Sequence, residues 1–342
     1  MDAAVHINLN TNVEISTPFI RDSDVAQLAT WPKVVAALAD AYAKPITPMM
    51  VPPRIMARGD GFWLRSLCAV SPSGDYMGCK LIAASPKIKR ASYLISLFDQ
   101  RTMELAALVD GNRITDLRTA ATAVVAVNAV MPNGPLRVGV IGSGSVARSM
   151  LTALSAVREV SLARVFSPTP ASREKFADSF RTANGLYMEA VDSPQAAIRD
   201  VDVVICAARS RDESPVLLGD WLQPGMIVLS IGSTLPEQRE LDVVCMARAT
   251  LIIADMPEEV LHETGDSLVA VAEGVDLASK TVGLDEVVSG KVPARGSAAD
   301  IVIYKSVGTA LQDVVTAEML LREALASNQY QLIPAGVVTI DR

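Results

Sequence analysis

Residues 138–147 read VGVIGSGSVA, and well over a hundred residues precede them. An apolar run stops at a glycine, a second glycine follows two positions later, and a small residue comes three after that. Gly142-Ser143-Gly144-Ser145-Val146-Ala147 is therefore GxGxxA at an expected strand-to-helix turn. Gly142 permits the tight turn, Gly144 lets a pyrophosphate approach the backbone, and Ala147 allows close packing of helix on strand. The helix start adds free N–H groups and a partial positive charge. The sequence beyond it alternates. RVGVIG, ARVFS, VDVVICAA, MIVLSIG and ATLIIAD read as apolar strands, and SVARSMLTALSAV and SREKFADSF as helices. Such alternation builds βαβ units on a parallel sheet. A Rossmann-type dinucleotide site follows from the turn and its context together.

The 342 residues are enough for two domains. Ahead of the turn, TWPKVVAALADAYAKP (30–45) reads as a helix with Thr30 as cap and Pro45 as stop. RIMAR, GFWLRSLCAV, GCKLIAA, ASYLISLFD and MELAALVDG read as strands of a mostly antiparallel sheet. TDLRTAATAVVAVNAVMP reads as a buried, alanine-rich helix capped by Thr115 or Asp116. From Lys305 another long helix is expected, returning to the front of the molecule. The fold class is α/β: a Rossmann-type parallel-sheet domain at 133–303, and a split α+β domain formed by 1–132 with 304–342.

Composition narrows the function. The net charge of −7 comes without a long run of like charge, so no nucleic-acid partner is expected. The uncharged stretch 119–136 is too short and too broken by Pro132 and Gly134 to span a bilayer. No secretory signal is evident, and Cys68, Cys79, Cys206 and Cys245 show no metal or redox spacing; all four read as reduced core residues of a cytoplasmic protein. Two histidines make a histidine-rich metal site improbable, and no metal is expected.

An NAD site usually carries an acid at the end of the second strand, on the ribose hydroxyls. No acid lies between Glu159 and Glu174. Ser167, Thr169, Ser172 and Arg173 suit a 2′-phosphate instead, which favours NADP over NAD.

Several stretches together resemble the ornithine cyclodeaminase/mu-crystallin family: VPPRIMAR (51–58), GCKLIAAS (78–85), DGNRITDLRTAATA (110–123), VGVIGSGSVA (138–147), PEQRELD (236–242) and IYKSVGTALQD (303–313). The resemblance implies a homodimer whose substrate domain is built from both chain ends around a central nucleotide domain. It implies an enzyme acting on amino or imino acids with a nicotinamide cofactor: a ketimine or cyclic imine reductase, an amino-acid dehydrogenase or a cyclodeaminase. A small-ligand binder without catalysis is a further alternative.

Three cations stand out on their own chemistry. Lys80 lies inside an apolar segment, Arg54 in PPRIMA, and Arg118 in the expected first turn of a helix, where a cation opposes the dipole and calls for an anionic partner. Each alone reads as a snorkelling side chain or a structural ion pair. Together they suit a carboxylate, and the resemblance matches Arg54 and Arg118 to substrate binding and Lys80 to catalysis. A lysine beside a cationic, partly buried site has a lowered pKa and exchanges protons with an imine.

Cofactor contacts are thus expected at Gly142, Ser143, Gly144, Ser145, Val146, Ser167, Thr169, Arg173 and Ala208, and the resemblance implies two more at Thr119 and Ser306. One departure matters. Where cyclodeaminases carry an aspartate two residues before the proline of P-x-x-x-E-L, this chain has Thr234, which is no carboxylate base. That disfavours ammonia-eliminating cyclisation and points to the reductase branch, with Thr234 orienting the imine. Asp255 and Asp266 read as loop caps, His262 as a cap or solvent-facing residue, Phe62 and Trp63 as core, and Ser306 otherwise as an ordinary N-cap.

Overall fold

The computed structural model describes residues 16–334 together with 337, 339 and 340. Strands β1 (Ser16–Ile20), β2 (Ile55–Gly59), β3 (Phe62–Val70), β4 (Tyr76–Ser85), β5 (Arg90–Asp99) and β6 (Leu105–Asp110) come first. Then follow β7 (Leu136–Ile141), β8 (Val160–Phe166), β9 (Met188–Ala190), β10 (Val203–Cys206), β11 (Ile227–Ser230), β12 (Leu251–Ala254), β13 (Thr281–Gly283), β14 (Val302–Lys305) and β15 (Gln331–Pro334). The helices are α1 (Asp22–Leu28), α2 (Trp31–Tyr42), α3 (Asn112–Val130), α4 (Ser145–Val157), α5 (Pro170–Asn184) and α6 (Pro194–Ile198). The remainder are α7 (Val243–Arg248), α8 (Pro257–Glu263), α9 (Gly265–Ala272), α10 (Leu284–Val288) and α11 (Ala310–Ser327).

Two sheets organise these elements. The front sheet runs β15-β1-β6-β5-β4-β3-β2; its neighbours are antiparallel except β1 with β6. The second sheet runs β13-β12-β14-β11-β10-β7-β8-β9 and is parallel throughout. Its central strands are continuous apolar runs, as burial on both faces demands. Strand order reverses between β7 and β10, and such a switch point opens a crevice beyond the carboxyl ends of the strands. The fold is the expected α/β class with a Rossmann-type sheet beside an α+β unit. Helix α3 joins the two: it packs on α2 and α11 at the front and on α4, β11 and β14 behind. Its residues 120–127 are almost wholly buried, which its run of alanine and valine makes possible.

Several boundaries differ from the expectation. Helix α3 starts at Asn112, one turn before Thr115 and Asp116, because Asp110 Oδ1 accepts the Asn112 N–H and turns the chain directly out of β6. Arg118 thus lies in the second turn, where the dipole argument does not apply. Thr30 occupies the cap position of α2, but its side chain accepts no N–H. Helix α11 begins at Ala310 rather than after Lys305: Val302–Lys305 is a strand of the parallel sheet, and Gly308, at φ +80, breaks the helical path. Thr309 is the cap, accepting the Leu311 N–H at 3.3 Å. Strand β14 therefore crosses the expected boundary at 303/304. Cys206 and Cys245 are buried, whereas Cys68 is exposed and Cys79 half-buried. Phe62 is 61% exposed on the outer face of the front sheet rather than core, and Trp63 is half-buried beside Arg65. Among the described residues no helix is long and apolar enough to cross a membrane.

Candidate active site

The two glycines of the turn are glycines for different reasons. Gly142 has φ +111, and a Cβ there would lie 2.5 Å from the Ala207 carbonyl oxygen, so the fold itself requires it. The contact joins the end of β7 to the end of β10, at the switch point. A Cβ on Gly144 would meet nothing within 4 Å. Its missing side chain serves no internal packing and leaves open space above the start of α4, a helix without a side-chain cap. Ser145 and Val146 open this helix, and Ser143 precedes it. Open space in front of uncapped N–H groups fits a dinucleotide pyrophosphate.

At the end of β8, Ser167 is buried, and Arg173 in α5 donates to the Ser167 carbonyl and pairs with Asp192. The guanidinium lies 5.8 Å from the Phe166 ring centre. Asp192 is 96% exposed, so Arg173's partner is displaceable. Thr169 is the N-terminal boundary residue of α5, and its carbonyl accepts from Ser167 Oγ. The Ala208 N–H donates to Glu240.

The three cations meet on one segment. Period-two alternation in β4 turns Lys80 and Ile82 inward and Cys79, Leu81 and Ala83 outward. Lys80 is 1% exposed and donates to Thr115 Oγ1 and Asp313 Oδ1, each at 2.7 Å. Arg118 Nη1 donates to Gln312 Oε1 at 2.7 Å, and its Nε lies 3.5 Å from Asp313 Oδ1. A Cβ on Gly308 would fall 2.6 Å from Arg118 Nη1, so the guanidinium lies against bare backbone. Arg54 donates to the Val307 carbonyl at 3.2 Å and pairs with Glu259 at 2.7 Å. Lys80, Arg118 and Arg54 thus converge on residues 307–313, directly after β14. Burial lowers the Lys80 pKa; Asp313 opposes that, and Arg118 adds to it. Burial raises the Glu259 carboxyl against the pull of Arg54.

Asp255 holds this segment. Its carboxylate accepts from Ser306 Oγ, the Val307 and Gly308 N–H groups and Gln312 Nε2, at 2.6–3.0 Å. Ser306 is consequently a buried donor to Asp255, not the cap of α11. Asp266 likewise caps backbone, accepting from the Glu240 and Leu241 N–H groups, and binds Lys305 Nζ at 2.7 Å. His262 faces solvent. Thr234 is engaged within its own loop, its N–H and hydroxyl both donating to Gln238 Oε1. Thr119 donates to the Thr115 carbonyl one turn back. Asp313 and Gln312, the anionic and amide partners of the cations, went unrecognised in the sequence.

A parallel sheet with this turn at its switch point, and a buried lysine with two partly buried arginines gathered on the segment that leaves β14 of the same sheet, fit a nicotinamide-dependent oxidoreductase. The family model for the ornithine cyclodeaminase/mu-crystallin family matches residues 22–328. The chain belongs to that family. It is 31% identical over 300 residues to ketimine reductase mu-crystallin of Mus musculus, covering 84% of this chain and 90% of the relative. It is 27% identical over 263 residues to Delta(1)-pyrroline-2-carboxylate reductase of Bacillus cereus, covering 75% and 80%. The solved structure of Thermococcus litoralis Delta(1)-pyrroline-2-carboxylate reductase in complex with NADH and L-proline superposes with a TM-score of 0.81 at 25% identity, covering 92% of this chain and 99% of the other.

Proposed function

We propose that this chain reduces an α-imino acid, a ketimine or a cyclic imine such as a pyrroline- or piperideine-2-carboxylate, to the L-amino acid, with NADPH preferred to NADH. The observation that carries this reading is the convergence of Lys80, Arg118 and Arg54 on the segment that leaves the parallel sheet. Arg54 and Arg118 grip the substrate carboxylate, each exchanging part of its contact with Glu259 or Asp313 for it. Lys80 gives two of its three N–H bonds to Thr115 and Asp313, and the third serves the substrate. Its lowered pKa eases release of that proton to the imine nitrogen. When bound by the residues named below, a nicotinamide would supply the hydride that the imine carbon takes up. Thr234 spends its proton on Gln238, so its oxygen accepts from a protonated imine. The backbone at Gly142–Val146 and the residues Thr119, Ala208 and Ser306 hold the dinucleotide, with Ser167, Thr169 and Arg173 at its 2′-phosphate. The proposed assembly is a cytoplasmic homodimer; outward-facing Ile55, Phe62 and Leu64 on the front sheet, with Ile88 in the turn between β4 and β5, support the dimer.

A panel of cyclic imino acids with NADPH and with NADH, read by loss of nicotinamide absorbance, tests this reading. Rapid oxidation of NADPH with a five- or six-membered imine is expected. Ammonia release from ornithine or lysine without net cofactor turnover would replace the proposal with cyclodeamination.

A further inference from the structure

One arginine on the inner face of the front sheet has no protein partner. Arg65 lies in β3 and is half-buried, next to Leu64, which faces outward. Its direct cross-strand partners are Met56 in β2 and Ile82 in β4, and Ile82 belongs to the inward row that carries Lys80. Lys80 itself stands opposite Leu67, so Arg65 and Lys80 are diagonal neighbours on one face. Such neighbours are roughly 7–8 Å apart, within reach of long side chains. Arg54 is held by Glu259 and the Val307 carbonyl, and Arg118 by Gln312 and Asp313. Among the described residues no hydrogen bond or salt bridge involves the Arg65 guanidinium, and its Nε is buried. The Trp63 ring lies beneath it, 5.1 Å from centre to guanidinium carbon. An aromatic ring attracts the cation without supplying a charge to neutralise it. Burial lowers the Arg65 pKa; Arg54 and Arg58 add to that, and Glu259 and Glu263 oppose it. Those two acids are spent on Arg54, at 2.7 and 3.9 Å. Arginine does not shed its proton, so this half-buried cation is left to an anion that enters the site.

We propose that Arg65 binds a second carboxylate of the substrate, and that the preferred α-imino acid is a diacid. The inference rests on the reductase reading above. The α-carboxylate occupies Arg54 and Arg118, and the imine nitrogen faces Lys80. The second carboxylate sits two residues along β3 from the position opposite Lys80, toward the β2–β3 turn. There the guanidinium meets it through charge-assisted, fork-shaped hydrogen bonds. An imine with an apolar side chain brings nothing to this place and leaves the arginine unpaired, so specificity comes from the lost pairing as much as from the gained contact.

The test measures kcat/KM with NADPH for pairs of imines in which a hydrogen or methyl replaces one carboxylate. Δ1-Piperideine-2,6-dicarboxylate is compared with Δ1-piperideine-2-carboxylate. The imines formed in ammonium from oxaloacetate and from 2-oxoglutarate are compared with those from 2-oxobutyrate and 2-oxovalerate. At least one diacid is expected to exceed its monoacid partner by about tenfold or more, the worth of one charge-assisted contact. Arg65→Gln is expected to bring that ratio down to about one, and Arg65→Lys to keep part of it. A ratio near one in every pair of the unmutated protein overturns the proposal, while reduction of the monoacids keeps the reductase reading. A ratio that survives Arg65→Gln, whether or not both rates fall together, gives Arg65 a structural role and also overturns the proposal. No turnover of any imine overturns the reductase reading and the proposal with it.

Discussion

Two buried lysine–aspartate pairs have the same separation and opposite surroundings. Lys80–Asp313 and Lys305–Asp266 are each 2.7 Å apart, and all four side chains are essentially closed to solvent. At the first, one carboxylate serves two cations, since Arg118 also reaches Asp313. At the second, the buried ammonium faces two carboxylates: Asp266 directly, and Glu240 through Ser230, which accepts from Lys305 and donates to Glu240; the more exposed Arg239 lies 3.7 Å from Asp266. A buried charge without compensation is costly. The second cluster balances itself, because burial pushes the Glu240 carboxyl up to about 7. The first keeps Arg118 charged, because arginine does not shed its proton, and under the proposed function the substrate carboxylate completes it. On the proposed function, equal ion-pair geometry thus serves a binding site in one place and a structural joint in the other.

The comparison breaks most directly at Lys80. Lys80→Met is expected to lower kcat by about 10²–10⁴, the range of a lost proton donor, with NADPH affinity unchanged, because Asp313 keeps Arg118. Steady-state rates and nucleotide fluorescence titration check both arms. Loss of nucleotide binding together with turnover would make this pair structural too.

Lys305→Met reverses the outcome. It leaves Asp266 and Glu240 buried without their ammonium, and is expected to cost about 3–5 kcal/mol of stability. Urea unfolding measures it. A fully stable Lys305→Met protein would contradict the assignment of this cluster to the fold.

Glu240 separates the clusters by pH. Its native pKa, about 7, stands above the usual value of 4.5. Between those values the native state holds a proton that the unfolded chain has released, so this group's contribution is present below pH 4.5 and lost as pH rises to 7. At 1.36 kcal/mol per unit that is on the order of 3 kcal/mol. Glu240→Gln keeps a neutral side chain throughout and is expected to flatten the fall in stability over that window. An unchanged slope would place the carboxyl's titration elsewhere.

The sequence was most legible where periodicity was long. The strands from Ile55 to Asp110 and the strand–turn–helix at 136–157 were readable from alternation and glycine spacing alone. Strands β9 and β13, three residues each at the sheet edges, are too short to show a period. The position of α11 was misread because β14 has only four residues, too few to show a period, and the break at Gly308 lies in its positive φ, which composition does not display. Lys80 was legible as a charge on the inward row of β4. Asp313 was not, because helix α11 is buried nearly all round and its polar members mark no face.

The smallest expected effect probes the far end of the nucleotide crevice, where a cation is again held by a carboxylate, now one in water. Arg173 is mostly buried, while its partner Asp192 is 96% exposed. An exposed partner contributes at most about 1 kcal/mol, so a 2′-phosphate, with more charge and more acceptor oxygens, displaces it. Arg173→Ala is expected to raise the Kd for NADPH about tenfold, the worth of one charge-assisted contact at 1.4 kcal/mol, and to leave NADH within about twofold. Asp192→Asn works the other way. It frees the guanidinium and tightens NADPH binding, with the arginine still anchored on the Ser167 carbonyl. Isotherms for both nucleotides on both variants decide the matter. Equal losses of NADPH and NADH in Arg173→Ala would show that the arginine only shapes the loop after β8, and the preference for NADPH would then lack its residue.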